Sequence, residues 1–245
     1  MRIPRLFHPG NLAVGDQVKL SADAFQHSVK ALRMSNEQPV CLFNGDGNDY
    51  QAELLEVDKR SASARVVAVE SNDSESTVSV HLGQVISRGD RMDFALQKSV
   101  ELGVAEITPL FSDRCGVKLT GERLEKKQQQ WQKVVISACE QCGRSRVPVV
   151  HAAQTVANFV QQVTADLKLT LDPYAPLPLR QLTGAEQPAS VALLIGPEGG
   201  FTEAEVDLAK RGQFKPIRIG PRILRTETAA LTALSVIQYE LGDLA

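Results

Sequence analysis

Two glycine- and proline-rich stretches near the carboxyl end carry the residue types best suited to chemistry. They are Leu194-Ile-Gly-Pro-Glu-Gly-Gly-Phe-Thr-Glu-Ala-Glu205 and Ile219-Gly-Pro-Arg-Ile-Leu-Arg-Thr-Glu-Thr-Ala-Ala230. Glycines there let a ligand approach the main chain, so that exposed N–H and C=O groups can read a polar edge such as an adenine ring. A pair of tight turns with no ligand is the simpler reading of one such loop. Two in succession, the second followed by Arg225-Thr-Glu-Thr228, point instead to a binding crevice. Neither stretch is G-x-G-x-x-G or G-x-x-x-x-G-K-S/T, which disfavours a dinucleotide fold or a P-loop.

The flanking elements explain how such loops could be held side by side. Val191 to Ile195 is apolar at every position and too short for a helix, as expected of a parallel strand covered on both faces. Thr202 with Glu205 forms a capping box that starts a helix running toward Arg211. The second unit repeats this logic: Ile217 to Ile219 reads as a brief strand, Gly220-Pro221 turns it, and Thr226 is placed to cap a helix from about Ala229 to Leu241. Strand Leu167 to Asp172 ends in Asp172-Pro173 beside both loops. Three carboxyl ends of parallel strands then open on one crevice, where open α/β sheets bind ligands.

The rest of the chain reads as two domains. After Arg5-Leu-Phe, a helix is predicted over Ser21 to Arg33, with Ser21 as cap and Phe25, Val29 and Leu32 on one face. Pro39 to Phe43, Tyr50 to Val57 and Ala64 to Val69 read as strands, with Asn44-Gly-Asp-Gly47 as a hairpin turn. Acidic Glu53, Glu56 and Asp58 fall on the wet side of this small barrel-like module. Polar Ser71-Asn-Asp-Ser-Glu-Ser76 marks the boundary, giving domains 1–72 and 73–245. Strand Val78 to Ile86, a helix from an Asp90 cap through Leu102 to Gly103, and strand Ile107 to Phe111 make a βαβ unit. An amphipathic helix follows from about Gly121 to Cys142, with Leu124, Trp131, Val134, Val135 and Ala138 on one side and Arg123, Lys126, Lys127 and Lys133 on another. Val147 to Val150 is a strand, Thr155 to Val163 a short helix, and the Pro-rich loop Pro173 to Pro188 is expected to cover the site.

Composition narrows the class of partner. The 245 residues are 43% hydrophobic with a formal net charge of −2, enough for one large core or two smaller ones and no sign of a general nucleic-acid binder. Charge is nevertheless segregated. Lys210, Arg211, Lys215, Arg218, Arg222 and Arg225 fall in one stretch without an acid, whereas nine acids oppose three bases between Glu37 and Glu75. That distribution suits one face toward phosphates and another toward water. Cys139 and Cys142 form one C-x-x-C near a helix end, without the second half of a zinc site, so neither a metal nor a redox role is expected. No apolar leader and no run long enough to span a membrane are legible, and reduced thiols fit a cytoplasmic protein.

The two loops resemble the signature loops of the RsmE-type ribosomal RNA methyltransferases, members of the SPOUT superfamily. The resemblance extends to Lys98, Glu101, Leu102 and Gly103, to Glu140-Gln141 with Arg144 and Pro148, and to His27, Leu32 and Arg33; taken without the family, His27 is an ordinary surface or packed histidine. It implies an α/β fold: a C-terminal SPOUT-type parallel sheet with a deep trefoil knot, preceded by a small PUA-like β-barrel domain that binds RNA. It also implies S-adenosyl-L-methionine as cofactor, methylation of N3 of a specific uridine in 16S rRNA, free or in the small ribosomal subunit, and a homodimer with no membrane or metal. The cofactor positions carried over are Leu171, Asp172, Leu194, Ile195, Gly196, Pro197, Glu198, Gly199, Gly200, Ile219, Gly220, Leu224, Thr226 and Thr228. Arg225 is the candidate cation beside the uracil, with Glu227 either accepting a proton or orienting Arg225. Arg2, Arg5, Lys30, Arg33, Arg144 and Arg222 are the candidate RNA contacts. The contrasting expectation is a ribosome-assembly factor that binds RNA through a vestigial nucleoside site without catalysis.

Overall fold

The computed structural model describes residues 3–172, 174–175 and 187–244. The chain divides into two compact units, 1–75 with 139–147, and 76–138 with 148–245.

In the first unit β1 (Arg5–Phe7), β2 (Gln17–Lys19), β3 (Pro39–Phe43), β4 (Asn48–Leu55) and β5 (Ser63–Ser71) form one sheet in the order β1-β3-β4-β5-β2. Only β1 and β3 run parallel. Alternation along β4 turns Tyr50, Ala52 and Leu54 inward onto Leu6, Val40, Leu42 and Val66, as the period of two requires. The hairpin turn is held by Asn44 Oδ1, which accepts from Asp46 N at 3.1 Å, and by positive φ at Gly45 and Gly47. Strands β1 and β2 were not expected, because three residues are too few to show a period. The helix expected over Ser21 to Arg33 is instead a four-residue α1 (Ala22–Phe25), capped by Ser21 as anticipated, continuing as a π-helical turn over Gln26–Ala31. Leu32 is consequently exposed, and Arg33 takes positive φ.

The first unit is tied together by part-buried ion pairs. Arg5 reaches Asp49 through two bonds of 2.8 and 2.9 Å and Ser145 Oγ at 2.6 Å. Arg144, only 5% exposed, donates to both oxygens of Glu75 at 3.1 and 2.6 Å. These contacts explain why 139–147 groups with 1–75.

The second unit is a parallel sheet in the order β12-β10-β11-β6-β7-β8. Its strands are β6 (Ser79–Val85), β7 (Val104–Phe111), β8 (Val149–Val150), β10 (Leu167–Leu171), β11 (Ser190–Ile195) and β12 (Lys215–Ile217), with β9 (Gln154–Thr155) pairing with β7. Helices α2 (Arg91–Glu101), α3 (Gly121–Cys142), α4 (Val156–Gln162), α5 (Glu203–Arg211) and α6 (Thr226–Leu241) connect or follow them. Every residue from Val191 to Ile195 is buried, as a doubly covered strand demands. The Thr202–Glu205 capping box is present in full. Asp90 occupies the N-cap of α2 but makes no capping bond, and β12 ends at Ile217, before the predicted Ile219. On α3 Trp131, Val135 and Ala138 are buried, while Lys127 is drawn to Asp93 of α2 at 3.1 Å, where Trp131 Nε1 also donates. Among the described residues no helix is long and apolar enough to cross a membrane.

The Asp49 carboxyl supplies a stability test. Burial raises its pKa, but hydrogen bonds from Arg5, Ser145 and Asn72 outweigh this and hold it below the ordinary carboxylate value. A depressed folded pKa contributes stability above the unfolded value of about 3.9 that is lost as pH falls through the folded one. Asp49→Asn should therefore cost about 1–2 kcal/mol at neutral pH. The gap to the parent should narrow below about pH 4 in denaturant melts of the full chain. A gap that stays constant into acid would mean that charge at Asp49 contributes nothing.

Candidate active site at the strand ends

The two glycine loops meet. Ile195 pairs with Gln84 at the ends of β11 and β6, and the following loop turns through Pro197 O to Gly200 N at 2.9 Å, with Gly200 at φ +68°. The second loop leaves β12, turns at Gly220 with φ +69°, and enters α6 at Thr226. Thr226 was expected to cap this helix. It is instead the first helical residue, and its side chain makes no cap: the hydroxyl donates to Gly196 O at 2.7 Å and accepts from buried Gln84 Nε2 at 3.0 Å. Two segments 30 residues apart are thereby fastened by one buried hydroxyl.

Between the loops lies a cavity of about 410 Å³, within the size range of small-molecule sites. Thr170, Leu171 and Asp172 close one side, Ile195 to Glu198 with Gly200 and Phe201 a second, and Ile219, Leu224 and Thr226 a third. Phe214, Val206 and Ile223 add apolar wall, and Arg222 lies at its border. Asp172 is part of a local turn, its Oδ1 accepting from Tyr174 N at 2.8 Å. A side chain at Gly196 would meet the Phe201 ring at 3.0 Å, and that ring would have to give by a few tenths of an ångström.

Four residues expected at the cofactor do not line this space. Leu194 is 1% exposed and packs into the core with Phe159 and Phe214, because successive strand residues face opposite ways. The Gly199 carbonyl faces away to Arg114 Nη1 at 2.8 Å. Gly220 only forms the turn, and Thr228 is exposed one residue beyond Glu227. Arg225 and Glu227 stand next to the cavity rather than in its wall. Arg225 is exposed at the N-cap of α6, whereas Glu227 Oε2 is buried without a hydrogen-bond partner among the described residues.

The first loop is also clamped from outside by two arginines that were not among the expected site residues. Arg91, at the start of α2, pairs with Glu198, and Arg114 binds the carbonyls of Gly199 and, at 3.4 Å, Phe201. No local pattern announces them, since both come from segments distant in the chain.

The candidate RNA contacts fare unevenly. Arg5 and Arg144 are not the exposed contacts expected: each is drawn into a part-buried ion pair, with Asp49 and Glu75, that leaves its side chain 9% and 6% exposed respectively. Lys30 is exposed, donating to Lys59 O at 2.8 Å over the Phe25 ring. Arg33 and Arg222 are exposed, and Arg2 lies outside the described residues, as do Pro173 and 176–186 of the Pro-rich loop. Cys139 is buried, its thiol pushed up to about 12 by that burial, which leaves it inert.

Known proteins share this fold. Residues 74–238 match the RNA methyltransferase domain family and residues 20–67 the RNA methyltransferase PUA domain family. A structure from Legionella pneumophila with the cofactor SAM bound is 43% identical and superposes with a TM-score of 0.96, covering 100% of both chains. The ribosomal RNA small subunit methyltransferase E of Neisseria gonorrhoeae, bound to S-adenosyl methionine, is 38% identical with a TM-score of 0.92, again over 100% of both chains. Fold and site together define an RNA methyltransferase of the SPOUT type, with a PUA-like domain ahead of it. The chain is 36% identical to the ribosomal RNA small subunit methyltransferase E of Buchnera aphidicola subsp. Schizaphis graminum, over 99% of this chain and 98% of that one. It belongs to that RsmE-type family.

Thr226→Val would keep the shape of the strut and remove its hydrogen bonds. Among the described residues, Gln84 Nε2 would lose one of its two partners and the Gly196 carbonyl its one side-chain donor, at about 1–3 kcal/mol. A melting temperature equal to that of the parent would show that the loops are held by packing alone.

Proposed function

We propose that this chain transfers a methyl group from S-adenosylmethionine to N3 of a uridine in 16S rRNA. The observation that carries this reading is the single cavity closed by both glycine loops and fastened by Thr226. Its volume, its apolar walls and the main-chain groups at its rim suit a nucleoside. In this reading the main chain of Gly196, Ile219 and Leu224 holds the adenine, and Gly200 and Asp172 lie toward the ribose and methionine. When bound, the sulfonium supplies an electrophilic methyl group.

The protein's own contribution is then placement and electrostatics. Orienting two reactants contributes roughly 7–11 kcal/mol. Neutral uracil carries a proton on N3; its loss spreads negative charge onto the flanking carbonyl oxygens, and that charge is consumed when N3 takes the methyl group and the sulfur–methyl bond breaks to leave a neutral thioether. Exposed Arg225 is the donor we assign to those oxygens, a role typically worth about 2.7–4 kcal/mol. Glu227, with one carboxylate oxygen buried and without a partner among the described residues, is the group we assign to receive the proton or to orient Arg225. The PUA-like unit would contribute RNA affinity through exposed Lys30 and Arg33, with Arg222 at the cavity border. A homodimer belongs to the same reading and rests on the family resemblance.

Arg225→Ala should lower the single-turnover methylation rate about 100- to 1,000-fold and leave calorimetric affinity for S-adenosylmethionine within about 3-fold, close to the uncertainty of the comparison. An unchanged rate removes Arg225 from the reaction, and product analysis that finds the methyl on a ribose oxygen or on carbon 5 overturns the N3 assignment. The same assay separates an enzyme from an RNA-binding assembly factor, which would bind rRNA and transfer nothing.

Affinity for 16S rRNA should also fall as salt rises, by counterion release. Lys30→Ala with Arg33→Ala should make that dependence shallower by about 0.7 per lost contact on single-stranded RNA. A slope unchanged by the double substitution would place the phosphate contacts elsewhere.

A further inference from the structure

A second constellation lies on the α4 face of the parallel sheet. His81 of β6, Glu106 of β7 and His151, just beyond β8, bring one ligand atom each to within 4.8 Å of one another. His151 Nε2 is 2.7 Å from Glu106 Oε2, and His81 Nδ1 is 3.9 Å from the same oxygen. The two imidazoles lie 5.3 Å apart, tilted by 35°. His81 is three residues upstream of Gln84, about 10 Å along the strand, and points to the opposite face of the sheet. The group is therefore separate from the glycine-loop cavity.

A plain His–Glu ion pair needs one imidazole, and a second stacked beside it adds repulsion whenever both are protonated. Three features suit an ion better. His81 turns its remaining nitrogen, Nε2, to the buried Thr108 hydroxyl at 2.8 Å, which leaves Nδ1 facing Glu106. That is the arrangement by which a group behind a histidine fixes a metal-binding nitrogen. The ring is also wedged from the side: Phe159 packs edge-on against it at 5.2 Å. Phe159 can do so only because residue 83 is glycine, where a Cβ would stand 2.5 Å from that ring. Finally, a cavity of about 450 Å³ opens beside the three side chains, with room for water as a further ligand.

We propose that His81 Nδ1, Glu106 Oε2 and His151 Nε2 bind one divalent ion of the zinc type, with water completing the shell. Two imidazoles and one carboxylate with an open position are a recurrent set for such ions. Metal–ligand distances of about 2.0–2.2 Å set tetrahedral ligand atoms roughly 3.4 Å apart, between the two separations measured to Glu106. An ion here would cross-link β6, β7 and the segment after β8. With Glu106 and His151 45 residues apart, the set has no local spacing to betray it, and the sequence predicted no metal.

The test uses the full-length protein, stripped with a chelator and titrated with Zn²⁺ and, separately, Co²⁺. One equivalent of Zn²⁺ should bind and raise the melting temperature, and the Co²⁺ spectrum should show nitrogen and oxygen ligation without a thiolate charge-transfer band. Glu106→Gln and His151→Gln, both at partly exposed positions, should each weaken Zn²⁺ binding by at least about 10-fold while circular dichroism is unchanged; Thr108→Val should weaken it about 10-fold through loss of the supporting bond. Failure to bind Zn²⁺ at micromolar concentration, variants that bind as tightly as the parent, or a thiolate band would each overturn the proposal, the last by moving the ion to cysteine. If His151→Gln misfolds, the near-isosteric Glu106→Gln with the Co²⁺ spectrum still decides.

Discussion

One short hydrogen bond, from the Thr226 hydroxyl to the Gly196 carbonyl, sets the condition under which the rest of the second unit makes sense. Each glycine loop has open conformational choices by itself, because its glycines reach backbone regions closed to other residues. Joined at Thr226 and backed by the buried amide of Gln84, they become two walls of one cavity. The first loop is also held from outside by Arg91 and Arg114. A cavity made of main chain needs this scaffolding, since rigidity in a binding site comes from the supporting shell rather than from the contact groups.

The arginines show how burial redirects charge. Arg5 and Arg144 are candidate RNA contacts by resemblance, yet both lie in internal pairs, with Asp49 and Glu75. Both acids come from the acid-rich stretch between Glu37 and Glu75. Segregation of charge along the chain thus serves the joining of 139–147 to the N-terminal unit, and only Lys30, Arg33 and Arg222 remain exposed among the described candidates. Removing either member of such a pair costs more than forming it gains, because the survivor is left buried and charged.

The second unit uses the two faces of one sheet differently. Gln84 turns toward α6 and the loops, while His81, three residues earlier, turns toward α4. Alternation along a single strand therefore serves both the glycine-loop cavity and the His81–Glu106–His151 group, and Gly83 between them provides the space that Phe159 fills.

Much of this was legible in the residues alone, and the reason is locality. The capping box at Thr202, the doubly buried Val191–Ile195, the span of α3 and the hairpin at Asn44–Gly47 all depend on neighbours within a few positions, where periods of 2 and 3.6 and turn chemistry act. The resemblance of the two loops rests on contiguous residues as well, and it carried the fold class. Strands β1 and β2 escaped because three residues are too few to show a period, and the π-helical turn over Gln26–Ala31 fell inside a span whose apolar spacing reads as an α-helix. What only the tertiary structure decided is partnership: that Thr226 fastens Gly196 rather than capping α6, that Arg5 meets Asp49 and Ser145, that Leu194 faces the core beside Ile195 facing the cavity, and that His81 meets Glu106 and His151. Those outcomes follow from strand order and register, which bring together side chains tens of residues apart, and a pattern read along the chain has no access to that coordinate.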